Sequence, residues 1–219
     1  ADNPNLTAGN TFVGQFLDHD ITFDRRSAIA ALADPSRTVN FRSAAFDLDH
    51  VYGEGPIDSP ELYEQDNSGI KMRIEAIPGS EAVSRGGVTR YDLPRDAFGE
   101  AIMGDSRNDE NVIVSQLHLA MLRFHNAITD RIALQDRNQT LSAMQIFEQA
   151  RRQVQWHYQW MILHEFLPQT IGQDRVDQIM VEGLALGAFG TLRNGRIETD
   201  LGGWLIRTDD AFVTGRGVD

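Results

Sequence analysis

Gly14-Gln15-Phe16-Leu17-Asp18-His19-Asp20-Ile21-Thr22-Phe23 sets one imidazole between two carboxylates, with an amide one helical turn upstream. Phe12, Val13, Phe16 and Leu17 recur at helical spacing, and Asn10 or Thr11 stands where a cap belongs. On such a helix Gln15 and His19, four residues apart, share a face. Asp18 and Asp20 leave in other directions, so one carboxylate can meet a ligand while the other holds a cation. Taken alone, the stretch also fits a helix end with a solvated Asp-His-Asp cluster.

The rest of the chain narrows the choice. Its 219 residues are 41% hydrophobic, enough to bury the core of one domain or at most two. With 32 acidic against 20 basic residues the formal charge is -12, which argues against nucleic acid or an anionic membrane surface as the main partner. No run of 18 apolar residues appears, so no membrane span is expected. Ala1-Asp2-Asn3-Pro4-Asn5 lacks the basic start and apolar core of a signal peptide and reads as the middle of something longer. There is no cysteine, hence no disulfide.

Residues 24–91 are rich in Asp, Ser, Gly and Pro, with Ser36, Pro56, Pro60 and Gly86-Gly87 as breakers; loops, short turns and a small hairpin are expected. The second half changes character. Ile113, Leu117, Met121, Phe124 and Ile128 set a helix over about 110–135, with a capping box sought at Ser106-Arg107-Asn108-Asp109. A second long helix is expected over 142–166, stopping at Pro168 and Gly172, and a shorter one over 174–182. After Gly183 the text is Gly-rich and irregular. The expected layout is a single domain: 1–100 loop-rich with the first helix, 101–182 a helical core, and 183–219 an irregular tail. The fold class is mainly α with long loops.

Four more segments carry chemistry. They are Ser43-Ala44-Ala45-Phe46-Asp47-Leu48-Asp49-His50-Val51-Tyr52-Gly53, then Gly104-Asp105-Ser106-Arg107-Asn108-Asp109-Glu110, then 116–126 and 150–168. In this order, and with the first stretch, they resemble the animal-type haem peroxidases, the superfamily of myeloperoxidase, lactoperoxidase and cyclooxygenase. The resemblance runs from about Asn10 to Gly172, and the lack of cysteine makes the chain similar to the bacterial branch rather than to the secreted, disulfide-rich mammalian relatives. Compartment stays open between cytoplasmic and secreted.

What the resemblance implies is specific. His19 is the distal acid–base group, Gln15 shapes the pocket beside it, and Arg107 is the arginine brought next to the imidazole to stabilise charge on the departing oxygen. Asp18 and Glu110 match carboxylates that form ester bonds to haem methyl groups in mammalian relatives, though bacterial relatives need not make both. Asn111 stands where myeloperoxidase has a methionine joined to the haem, so a sulfonium link is excluded. The cofactor implied is haem b, and without cysteine its iron has no thiolate ligand. Residues 43–49 resemble a calcium loop: a hydroxyl and carbonyl from Ser43, a carbonyl from Ala45, and carboxylates from Asp47 and Asp49, with Asp20 reaching over. Hard oxygens at alternating positions are what Ca²⁺ requires. An acidic loop without metal is the alternative.

The histidine pairs His118/His125 and His157/His164 are each spaced by seven, not by the four of a helical metal site, and read as packing or hydrogen-bonding residues. Trp156, Tyr158 and Trp160 read as core.

The chain departs from the family on the proximal side. No histidine follows His164, whereas the family's iron ligand lies beyond the helix that ends near Pro168. Ala188-Phe189-Gly190-Thr191-Leu192-Arg193 echoes that region without its histidine, and Arg196-Ile197-Glu198-Thr199-Asp200-Leu201 resembles text placed much later. The chain therefore reads as truncated, with an internal deletion near 183–195. The implied reaction is reduction of H₂O₂ with oxidation of a halide or organic donor. A catalytically inactive module that binds calcium or a partner is the competing function. Fatty-acid dioxygenases share the scaffold, but no tyrosine here sits in their motif.

Overall fold

The structure is a computed structural model that describes residues 6–23, 40–43, 45–65 and 68–185, with the short stretches 191–193 and 196–198. The expectations for 24–39, for the N-terminal five residues and for most of the tail beyond 185 lie outside the described residues.

Helix α1 spans Ala8–Ile21. It begins earlier than the Asn10 or Thr11 cap expected: Thr7 is the cap residue, in extended geometry and without a side-chain cap bond. Asn10 lies inside the helix and donates instead to Gln169 Oε1 at 3.0 Å. After α1 come α2 (Asp49–Tyr52), a 3₁₀ turn (Pro60–Leu62), β1 (Glu75–Ala76), α3 (Ser80–Val83) and β2 (Tyr91–Asp92). β1 and β2 pair antiparallel, Ala76 facing Tyr91, which is the small hairpin expected in the loop-rich half.

A 3₁₀ turn at Ser106–Asp109 precedes the long helix α4, Val112–Gln135. The expected capping box at Ser106 does not form. Asp105 caps the 3₁₀ turn by accepting from the Arg107 amide, and Asn111 caps α4 by accepting from Val114. The buried stripe of α4 is also offset from the sequence reading. It runs through Val114, Ser115, His118, Leu119, Leu122, His125, Ile128, Thr129 and Ile132, while Ile113 is 45% exposed. Two histidines inside the stripe broke the apolar pattern that periodicity looks for.

Helix α5 (Ala143–Met161) starts on a full capping box, Ser142 with Gln145, and packs along α4. The expected continuous helix instead widens into a π turn at Ile162–Phe166 and resumes as α6, Leu167–Ile171. Pro168 sits in the first turn of α6, where its missing N–H costs little, and the stop is Gly172 at φ +88°. Helix α7 (Gln173–Ala185) follows, and β3 (Thr191–Arg193) pairs with β4 (Arg196–Glu198) in the tail.

The core lies where α1 crosses α4 and α5. Phe16, Leu48, Tyr52, Val114, Leu122, Phe147, Val154 and Tyr158 are buried in it. Phe16 packs edge-on against His50, His118 and Tyr158, with ring centroids 4.5, 6.4 and 6.2 Å away. Tyr158 keeps its expected core place, whereas Trp160 is 41% exposed and lies against His164. Among the described residues no helix is long and apolar enough to cross a membrane.

Candidate functional site

His19 and Asp20 are neighbours on the last turn of α1, and each enters its own buried network. His19 is 5% exposed and its Nδ1 lies 2.8 Å from Asn108 Oδ1. The other end of that amide, Asn108 Nδ2, lies 3.0 Å from His118 Nδ1. Asn108 is fully buried at the 3₁₀ turn before α4. Burial pushes the His118 imidazolium down to about 3, so the ring is neutral at ordinary pH. No described residue bonds His19 Nε2. One turn earlier, Gln15 Oε1 accepts from Asn111 Nδ2 at 3.2 Å and joins α1 to the start of α4. Asp18 is exposed on α1, as is Glu110 at the end of the 3₁₀ turn.

Arg107 differs from its expected place. Its guanidinium reaches the residue His19 through the backbone carbonyl at 3.2 Å and also donates to the Thr22 carbonyl. Nε and Nη2 also donate to Asp105, with Nη2 2.7 Å from Oδ2, and Nη1 lies 3.4 Å from Thr22 Oγ1. The ring of Phe23 lies beneath the guanidinium, 5.1 Å to centroid. The physical reason is the open end of α1, whose last carbonyls and dipole attract a cation.

On the other side, Asp20 is fully buried. Its Oδ1 lies 2.8 Å from His50 Nδ1 and its Oδ2 accepts from the Leu48 amide at 3.2 Å. Burial, then the charge of Asp47, push its carboxyl up to about 8. The 43–49 loop folds back on itself around these groups. Ser43 Oγ donates to Asp47 Oδ2 at 3.0 Å and to the Ala45 carbonyl at 3.4 Å, and the Ser43 amide donates to Asp49 Oδ2 at 3.3 Å. Asp20, Asp49 and His50 each offer a ligand atom within 4.8 Å of the others. The buried Asp49 Oδ1 has no hydrogen-bond donor and only a 3.4 Å ionic contact with Arg42, and burial raises the Asp49 carboxyl to about 6.

Local backbone builds this loop. Leu48 is fully buried at φ +59°, a left-handed conformation that costs a β-carbon residue roughly 1–2 kcal/mol. The strain turns the Leu48 amide onto Asp20. Gln155 and Gln159 of α5 clamp the loop by donating to the carbonyls of Asp47 (2.6 Å) and Phe46 (3.0 Å).

Asp105 joins the two networks. It accepts from Arg42 Nη2 at 2.5 Å as well as from Arg107. Burial works to raise its carboxyl, yet these bonds outweigh it and hold the group at about 2. The segment can sit this close because residue 104 is glycine: a β-carbon there would lie 2.5 Å from the His50 carbonyl oxygen.

The family model for animal haem peroxidase matches residues 5–197, most of the chain. The chain belongs to the animal haem peroxidase family. Within that family it is 29% identical over 134 residues to a peroxidase, skpo-1, of Caenorhabditis elegans; the match covers 61% of this chain and 18% of that protein. Its fold is similar to that of fatty acid alpha-dioxygenases. The enzyme of Arabidopsis thaliana matches with TM-score 0.60 at 17% identity, over 80% of this chain and 29% of that one. The enzyme of Oryza sativa matches with TM-score 0.58 at 17% identity, over 87% and 32%. The chain thus spans less than a third of the relatives it matches.

Several site residues of this haem peroxidase chain escaped the sequence reading. Asn108, Arg42, Asp105 and His50 were each present in or beside a quoted segment without a role. His118 was read as a hydrogen-bonding residue, and the structure bears that out. The signal available for His50 was its place after two carboxylates of an oxygen-rich loop. For Asn108 there was none, because its partners lie 89 and 10 residues away.

Proposed function

We propose that this chain forms the distal side of a haem-dependent peroxidase that reduces H₂O₂ and oxidises a halide or organic donor. The observation that carries the reading is the state of His19: a buried imidazole held through Nδ1, with Nε2 bonded to no described residue. Such a group can take a proton from an incoming peroxide oxygen at Nε2 and return it to the leaving oxygen. Gln15 lies one turn earlier on the same helical face. Arg107 adds a fixed positive charge beside the last turn of α1 and holds the His19 backbone through its carbonyl.

The donor set supports haem b on the distal face. Gln15 and His19 would face the ring, and Asp18 on α1 and Glu110 just before α4 expose carboxylates where ester bonds to the haem could form. When bound, the haem iron supplies the redox chemistry that cleaves peroxide. No residue of the chain matches the family's proximal iron ligand, so we assign this chain the proton handling and not the binding of iron.

Calcium is the second element of the proposal. The oxygens of Ser43, Ala45, Asp47 and Asp49 with Asp20 are the ligands we assign to a hard cation; Asp20 and Asp49 offer oxygens within 4.8 Å of each other, and the donor-less Asp49 Oδ1 supports the assignment. An ion there braces His19 through the adjoining Asp20.

Absorbance during haem titration tests the reading. The expected result is a weak, sub-stoichiometric Soret shift whose peroxide response vanishes in His19→Ala. No shift at any haem concentration would favour the second reading, an inactive calcium-binding module. The engagement of Arg107 with Asp105 and the α1 carbonyls is the observation on that side.

A further inference from the structure

We propose that Asn108 is the positioning residue that sets the tautomer of His19: its side-chain oxygen takes the Nδ1 proton, leaving Nε2 as the base, and His118 fixes which way the amide points. This rests on the reading of His19 as the distal acid–base group.

A carboxamide has an acceptor at one end and donors at the other. Both ends of Asn108 are spent on imidazole Nδ1 atoms, at 2.8 Å to His19 and 3.0 Å to His118. The two Nδ1 atoms therefore cannot be in the same state. One carries a proton and the other a lone pair. All three side chains are buried, so water does not supply a substitute partner, and an unpaired end would cost roughly 1–3 kcal/mol.

With the Asn108 nitrogen on His118, that ring accepts at Nδ1 and carries its proton on Nε2. The Asn108 oxygen then requires a proton on His19 Nδ1, and the His19 Nε2 lone pair is left facing out. Rotating the amide by half a turn reverses both rings and puts the proton on His19 Nε2, where it can no longer act as a base. The backbone holds Asn108 for this task, because its amide donates to the Asp105 carbonyl at 3.0 Å and Asp105 is locked by Arg42 and Arg107. The donor and acceptor ends of Asn108 thus select which His19 nitrogen carries the proton.

The test needs no haem. In the chain labelled with nitrogen-15 at histidine, long-range proton–nitrogen correlations show which ring nitrogen bears the proton. The expected spectrum has His19 protonated on Nδ1 and His118 on Nε2. Asn108→Asp presents an acceptor to both rings, so His19 should keep its tautomer while His118 swaps to Nδ1–H. Asn108→Leu should leave His19 a mixture of the two forms. A parent chain with His19 protonated on Nε2 overturns the proposal, as does an Asn108→Asp variant in which His19 swaps instead of His118. If Asn108→Leu fails to fold, the aspartate variant decides by itself. Failure of the functional reading shows up separately: in the haem-loaded chain, His19→Ala would keep the parent rate with peroxide while the tautomers stayed as stated. If both hold, Asn108→Leu should slow the peroxide reaction severalfold, in proportion to the His19 rings lost to the Nε2–H form, and Asn108→Asp should recover it.

Discussion

His19 and Asp20 differ by one position and answer the cost of burial in opposite ways. Around His19 the ring is paired on its Nδ1 side by uncharged partners. An amide and a second imidazole match it donor for acceptor. Around Asp20 the network is acidic and open. Two carboxylates and the His50 imidazole converge, burial and the charge of Asp47 push Asp20 up to about 8, and among the described residues Asp49 keeps an oxygen without a donor. Phe16 packs edge-on against both His50 and His118 and so touches both networks.

Calcium should reveal that asymmetry most strongly. At calcium a thousandfold above its dissociation constant, stability should rise by about 4 kcal/mol. Thermal midpoints with calcium and with chelator should then differ by on the order of 10 °C. Asp47→Ala should remove the difference, while Asn108→Leu should keep it. Equal midpoints in the parent would dissolve the contrast.

Gly104→Ala attacks the joint between the networks. Its β-carbon meets the His50 carbonyl at 2.5 Å, a backbone atom with little room to move. We expect a loss of roughly 1–3 kcal/mol in urea unfolding, together with a weaker calcium effect. A neutral substitution would show that the Asp105 segment is not held where the two sides need it.

A smaller effect tests another buried imidazole, outside both networks. His125 is buried between the Tyr52 hydroxyl (3.1 Å) and the Ile70 carbonyl (2.9 Å), and burial lowers it to about 4. Its folded value lies below the unfolded one of about 6.5, so the unfolded chain binds the proton first and stability falls as pH drops from about 6.5 towards 4. His125→Gln cannot titrate. Between pH 7 and pH 5 it should lose about 1–2 kcal/mol less than the parent. Identical pH slopes for the two would contradict the burial of a neutral ring.

These contrasts show what sequence could carry. The stretch around His19 was legible because its helix is local and its apolar spacing regular, and Asp18 and Asp20 do part as expected, one exposed and one buried. The 43–49 loop was legible because its oxygens alternate within seven residues. The capping box at Ser142 was missed and the one sought at Ser106 was false, since a side chain can cap a 3₁₀ turn from one position earlier. Arg107 was assigned by resemblance to the imidazole, while the competing pull of Asp105 and of the α1 carbonyls is a matter of three-dimensional reach. The offset stripe of α4 has the same origin. Histidines count as polar in a periodicity and become core only when a distant partner satisfies them.

We propose above all that His19 performs the proton transfer at a bound haem. The most direct measurement is the stopped-flow rate of the haem-loaded chain with H₂O₂, with free imidazole added as the iron's other ligand, for the parent and for His19→Ala. The account predicts similar haem affinity for both and a rate lower by about 10²–10⁴ in the variant. Equal rates at equal haem occupancy would contradict it.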